Sequence, residues 1–282
     1  MSINQMNIGI FYFSATGITE KIANHIAVIL RKEGNIVKQK NIITPESRRN
    51  AIDFLEFDAC IFGFPVFGGR PPTIAEEWMS TLEGKNLKCS MFFTYGARDL
   101  EWAHQVTYYL LTNANFKVVL SAEFIGAHSF NVGEGWSLAE GRPNRLDFDI
   151  ARQFAIESVK RFHGELLFNF DLSKFVYEPR ETEETEETDG PFAIFYPFRE
   201  QSECSMCYLC EIECPAEAFN ANSGEPDKSL CIQCMHCVTI CPDKVLQIGD
   251  VSHIFKEYFI DKWGLTEEVV NKKRSRLVFG KD

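Results

Sequence analysis

The chain has no run of apolar residues approaching the roughly 18 that a membrane-crossing helix needs, so no membrane span is expected. Its start, MSINQMNIGIFYFS, lacks the basic region and small-residue cleavage site of a secretory signal. The expected compartment is therefore the cytoplasm. Positive charge is in deficit: 29 Lys+Arg stand against 40 Asp+Glu, a net of −11. A nucleic-acid binder would carry a basic footprint, so nucleic acid is not an expected partner. The stretch Glu178–Gly190 (EPRETEETEETDG) has no apolar side chain at all. It has nothing to bury and reads as a solvated, self-repelling linker, placed at residues 171–190.

The rest of the composition is ordinary. The 282 residues are 45% apolar and 24% charged, and 25 phenylalanines can fill a core. At about twice the length of a typical domain, the chain is expected to hold two. Charge supports the division. Residues 178–248 hold 4 Lys+Arg against 15 Asp+Glu, while the regions on either side are within one charge of neutral. The ten cysteines are also uneven. Cys60 and Cys89 are isolated and read as small buried apolar residues. The other eight crowd between Cys204 and Cys241. In a cytoplasmic protein, crowded thiols more often bind metal than form disulfides.

The first part, residues 1–170, alternates apolar runs with amphipathic ones. Asn7–Ser14, Ile36–Ile42, Ala59–Phe64, Ser90–Tyr95 and Val118–Ile125 read as strands, the first and third buried on both faces. Thr19–Glu33, Thr73–Leu82, Leu100–Thr112 and Leu146–Phe162 read as helices. Thr73 and Glu76 form a candidate capping box. Five strands followed by helices predict an α/β, doubly wound parallel sheet, with ligands at the carboxyl ends of its strands. There the loop Ser14-Ala15-Thr16-Gly17-Ile18-Thr19 leads into a helix N-terminus. That arrangement offers backbone N–H groups and hydroxyls to an anion. It is neither G-x-G-x-x-G nor a P-loop. An ordinary capped helix start is the plain alternative.

The pattern [S/T]-x-T-G-x-T after the first strand resembles the phosphate loop of flavodoxins, which bind FMN. The resemblance covers about residues 5–165. It implies that the loops after the third and fourth strands hold the isoalloxazine ring. Those loops supply Pro65, Val66, Phe67, Gly68 and Gly69, and Thr94, Tyr95 and Gly96. Phe67 and Tyr95 would give aromatic faces, though Phe67 could equally face the core. Arg70 either neutralises a reduced flavin or pairs at the surface. His128, in the loop after the fifth strand, reads as structural.

The second part, residues 191–249, carries the more specific motif. Cys204-x2-Cys207-x2-Cys210-x3-Cys214-Pro215 recurs as Cys231-x2-Cys234-x2-Cys237-x3-Cys241-Pro242, an internal duplication. The spacing C-x2-C-x2-C-x3-C-P is that of bacterial iron–sulfur proteins. Zinc sites need only four ligands and lack the third cysteine and trailing C-P. This part is similar to two-cluster bacterial ferredoxins, a small α+β fold. The resemblance implies two [4Fe–4S] clusters. One would take Cys204, Cys207, Cys210 and Cys241, and the other Cys231, Cys234, Cys237 and Cys214. Each fourth cysteine is expected to begin a short helix started by its proline. Met206, Tyr208, Ile232 and Met235 are expected to wall the clusters, and His236 to tune them or lie at the surface.

Residues 250–282 read as a helical tail. Ser252–Trp263 suits a helix docked on a domain. Lys272-Lys273-Arg274-Ser275-Arg276 suits a solvated face or a contact with the acidic second domain. The whole chain is similar to flavodoxin–ferredoxin fusions of anaerobes, which implies low-potential electron transfer. Basic redox proteins would dock at the acidic cluster domain, and the flavin and clusters would meet within a monomer or across a homodimer. Two rivals stand beside this reading. One is an FMN-dependent reductase of a quinone, nitro compound or nicotinamide. The other is a sensing or scaffolding module with one cofactor site vacant. No acid/base pair for the reductase is evident.

Overall fold

The computed structural model describes residues 5–165, 195–200 and 203–278. The acidic linker expected at 171–190 lies outside them, as do the ends of the two flanking domains. In the first unit, β1 (Asn7–Tyr12), β2 (Ile36–Asn41), β3 (Ala59–Pro65), β4 (Lys88–Tyr95) and β5 (Lys117–Ile125) form a parallel sheet. Its order is 2-1-3-4-5, the flavodoxin-like arrangement of doubly wound folds. Near-continuous apolar sequence makes β3 and β4 strands with helices over both faces. On one face α1 (Ile18–Lys32) packs beside α5 (Arg145–Phe162), through Ile22, Ile26, Leu30, Ala151, Phe154 and Ala155. On the other lie α3 (Thr73–Ser80) and α4 (Ala103–Asn113), with a short α2 (Pro45–Arg49) after β2. Cys60 and Cys89 are fully buried neighbours on β3 and β4, and burial pushes both thiols far up.

Helix ends depart from expectation in two places. Thr73 does not cap α3. Pro72 holds that position, and Glu76 turns instead to Arg70, which it binds twice at 2.8 Å. The capping box belongs to α5, where Asn144 and Asp147 exchange bonds with each other's backbone. The helix expected at Leu100–Thr112 begins three residues late, at Ala103.

The second unit has little regular structure. β6 (Phe198–Arg199), β7 (Phe219–Asn220), β8 (Glu225–Pro226) and β9 (Leu246–Gln247) are two-residue strands, paired β6 with β9 and β7 with β8. The short helices α6 (Leu209–Ile212) and α7 (His236–Ile240) precede the fourth cysteine of each motif. This reverses the expectation that Pro215 and Pro242 start helices. Proline suits the first turn of a helix, but here each lies just past the end of the preceding one.

The tail corrects the sequence reading most. After α8 (Ser252–Phe255), a π-helical turn over Lys256–Lys262 and α9 (Glu267–Lys272), the last described element is a strand, β10 (Arg276–Val278). β10 adds antiparallel to β5, so the sheet has six strands rather than five. The basic run is in part the expected solvated face, since Lys272, Arg274 and Arg276 are exposed, but it also ties the tail to the first unit. Lys273 donates to the carbonyls of Ala97 and Arg98. Arg276 grips buried Glu123 at 2.9 and 3.2 Å. Ser275 is buried, accepts from Ile125 N–H at 3.0 Å and donates to Asp147 at 2.5 Å. The expected docking of the Ser252–Trp263 helix does occur. Phe255 and Phe259 pack with Phe130, Trp136 and Phe195 in a third core. Burying one such ring contributes about 2 kcal/mol. Among the described residues, no helix is long and apolar enough to cross a membrane.

Candidate functional site

The switch point of a 2-1-3-4-5 sheet lies between β1 and β3, at their carboxyl ends. The predicted loops converge there. Ser14–Thr19 leaves β1, Pro65–Gly69 leaves β3, and Thr94–Gly96 leaves β4. Thr19 Oγ1 meets Thr94 Oγ1 at 2.8 Å, and Val66 N–H donates to Thr94 O at 2.9 Å. Gly17 caps α1 with φ at +83°, a left-handed conformation that favours glycine. Space beside it is open. The first turn of a 15-residue helix therefore faces this loop with its N–H groups. Ser14 Oγ accepts from Glu20 N–H at 3.1 Å, so its hydrogen is left to donate outward. Glu20, the acid of that turn, is drawn aside by Tyr12 OH at 3.1 Å. Ala15 is buried, and Thr16 and Ile18 are half-buried. Gly126 lets the loop after β5 lie on Ile18, where a β-carbon would overlap Ile18 Cγ2.

Phe67 is half-buried, edge-on to Phe13, while Gly68 and Gly69 both take positive φ. Burial pushes the half-buried Tyr95 phenol up to about 12, with the Glu123 charge adding to it, so the phenol stays neutral. Arg70 pairs with Glu76, as a surface pairing would have it. His128 stands among Phe130, Trp136, Phe255 and Phe259 and accepts from Phe130 N–H at Nδ1. Burial lowers its pKa to about 4, so it is a neutral structural ring at pH 7.

The eight clustered cysteines divide between two small cavities. The first is lined by Cys204, Cys207, Cys210 and Cys241, with Met206 and Tyr208 in its wall. The second is lined by Cys231, Cys234, Cys237 and Cys214, with Ile232 and Met235. Each cavity thus takes three cysteines from one motif and the fourth from the other. The thiols sense that grouping. Burial raises Cys210, and neighbouring Cys241, Cys204 and Cys207 raise it further. Burial brings Cys234 up to about 12, with Cys214 and Cys231 adding to it.

The backbone repeats with the sequence. Met206, Tyr208 and Glu217 have positive φ, and so do Gln233, Met235 and Lys244, each 27 positions later. Alternating right- and left-handed residues turn successive N–H groups into one concavity, a device for holding anions. Met206 N–H points at Cys204 Sγ at 3.4 Å and Ala218 N–H at Cys214 Sγ at 3.3 Å. Among the described residues, no three His, Cys, Asp or Glu gather closely enough for a single metal ion.

The second cavity adjoins the first unit. Cys234 and Ile232 pack in the same core as Phe13, Ala15, Val66, Phe67 and Tyr95. His236 is buried and donates from Nδ1 to Ala15 O at 2.8 Å, so it is not a surface residue. Arg48 donates to Pro215 O, and Arg49 pairs with Glu217 at 2.6 Å. Sequence gave no sign of these contacts. One latch did leave a signal: Glu123, an acid inside the apolar strand Val118–Ile125, needs a buried partner. His104 and Arg276 provide it.

No protein-family model matches the chain, and no curated protein sequence matches it. Among solved structures, the rubredoxin oxygen:oxidoreductase of the anaerobe Desulfovibrio gigas is 19% identical. That match covers 57% of this chain and 37% of that one, with a TM-score of 0.41. A Streptococcus pneumonia TIGR4 flavodoxin is 20% identical over 55% of this chain and 99% of its own, TM-score 0.41. Flavodoxin 2 of Bacillus cereus is 22% identical over 55% of this chain and 99% of its own, TM-score 0.41. Residues 5–165 form a flavodoxin-like unit, a conclusion that stands on their own strand order.

Proposed function

We propose that this chain is an electron-transfer protein joining one FMN to two [4Fe–4S] clusters. The observation that carries the reading is the sorting of eight cysteines into two cavities, each with four sulfur donors drawn from both motifs. Residues 1–170 would form the FMN domain, 171–190 the linker, 191–249 the cluster domain, and 250–282 the tail. When bound, FMN exchanges one or two electrons and each cluster one. Ser14, Thr16, Gly17 and Thr19 would hold the phosphate, with Ala15 and Ile18 shaping the loop. Pro65–Gly69 and Thr94–Gly96 would flank the ring, and the neutral Tyr95 phenol would keep negative charge away from it. The cysteines would hold iron as thiolates, and the N–H groups aimed at Cys204 and Cys214 would stabilise their charge. The His236–Ala15 bond fixes the second cavity beside the phosphate loop. A redox partner would dock at the acidic cluster unit.

Anaerobic assays separate carrier from enzyme. Protein reduced by dithionite is expected to pass electrons to one-electron acceptor proteins, with no rapid nicotinamide-driven turnover of quinones or nitro compounds. Rapid turnover of such a small substrate would contradict the carrier reading and favour the reductase.

A further inference from the structure

The two cysteine motifs are copies of each other in unlike surroundings. In the second copy, Cys234, Met235 and His236 are 7%, 1% and 9% exposed. This chain's own N-terminal unit covers them, through the core around Phe13 and Phe67 and the bond to Ala15. The equivalents in the first copy are Cys207, Tyr208 and Leu209. Cys207 is exposed, and Tyr208 and Leu209 are 38% and 37% exposed. Ile212, one turn on, is 65% exposed. The duplication thus makes two similar faces, of which, among the described residues, one is occupied within the chain and the other is open.

The open face has an apolar centre and an acidic rim. Glu203, Glu211 and Asp243 are exposed around it. Two of these acids are fixed in place. Asp243 accepts from Ser205 Oγ and N–H, both at 2.7 Å. Glu211 accepts from Ala221 N–H at 2.8 Å. An apolar centre with a charged rim is the anatomy of a docking patch, and the rim steers partners of opposite charge. The occupied face shows the complementary chemistry, since Arg48 and Arg49 grip Pro215 and Glu217 beside the second cavity. At the open face the equivalent of Glu217 is Lys244, so acidity there comes from Glu203, Glu211 and Asp243.

We propose that the face formed by Tyr208, Leu209 and Ile212 docks a separate redox protein that presents an apolar patch ringed by lysine or arginine. The proposal rests on the electron-transfer reading for the partner's nature, while the face itself is read from exposure and charge. The second motif is closed to such a partner because the N-terminal unit covers it.

Mitochondrial cytochrome c serves as the probe, being a basic one-electron protein with an apolar haem edge. Its dissociation constant for the anaerobically purified full chain is measured by calorimetry at low salt and at about 0.3 M. Iron and FMN are assayed on the same samples. Ile212→Lys is compared with Thr239→Lys, the equivalent exposed position of the second motif. Leu209→Ser removes apolar area without adding charge. Low-salt binding is expected to weaken at least tenfold with Ile212→Lys, by a smaller factor with Leu209→Ser, and less than twofold with Thr239→Lys. Equal loss at both lysine variants, or no binding by the wild type, overturns the proposal. So does a homodimer that Ile212→Lys dissociates, because a second copy would then be the occupant. Binding unchanged by Ile212→Lys in protein full of iron and FMN sinks the docking face and leaves the electron-transfer reading standing. The expected pattern in protein with neither cofactor upholds the face and sinks that reading.

Discussion

The two units of this chain are stabilised by different means. The N-terminal unit buries a double apolar layer, with Ile8, Ile10, Phe62, Phe64, Phe92 and Phe93 shut away from solvent. Its sheet and helices close over that core, with β10 of the tail as the sixth strand. The core of the cysteine unit is small: Phe219, Cys237 and Leu246, with Cys210, Cys214, Val238 and Cys241 against them. Its strands are two residues long. Units this poor in apolar cover generally need a metal or a staple to fold. On the proposed reading, iron in the second unit would supply folding energy, whereas FMN in the first would be a guest on a finished fold.

The sharpest way to break that contrast is to remove iron. Chelation under reducing conditions is expected to expose residues 203–249 to protease while the sheet unit keeps its circular dichroism and melting transition. A cysteine unit that stays resistant after complete iron loss would refute the contrast. Replacing one ligand sharpens it further. Cys241→Ala is expected to remove the first cluster and about half of the iron, with spectroscopy showing one intact centre. Two intact centres would show that Cys241 is not a ligand.

FMN should answer to the sheet unit alone. Gly17→Asp places a carboxylate at the anion-facing helix start and a side chain at φ +83°. A combined cost of about 2 kcal/mol lowers FMN affinity by about thirtyfold, read by flavin fluorescence on apoprotein. Iron content is expected to be unchanged. Flavin affinity equal to wild type would remove the phosphate from this loop.

The tail makes a smaller contribution to the sheet unit. Ser275→Ala leaves Ile125 N–H without its partner, at a cost of about 1–2 kcal/mol in chemical denaturation. The last effect is on pH. His128 binds its proton less readily folded, about 4, than unfolded, about 6.5. Its contribution is therefore complete above pH 6.5 and is lost as pH falls toward 4. Melting temperatures of His128→Gln are expected to decline less over that window than those of the wild type. Parallel declines would place the acid sensitivity elsewhere.

What sequence made visible was local. The strand and helix periods, the Ser14–Thr19 loop and the cysteine spacing all lie within a few residues of their partners. Met206 and Tyr208, with Ile232 and Met235, line the cavities as the spacing suggested. What it hid was long-range. β10 is three residues, Arg276–Val278, with no strand signature, and joins β5 across some 150 positions. His236 lies 221 positions from Ala15. The Thr73 capping box misled because Arg70, in a loop of no clear period, takes Glu76 away.

The most direct measurement is iron, sulfide and flavin analysis of anaerobically purified full-length protein, with absorption spectra on the same sample. The expected result is about eight irons, about eight sulfides and one FMN per chain. One or two zinc ions with no iron, or iron with no flavin at any FMN concentration, would contradict it.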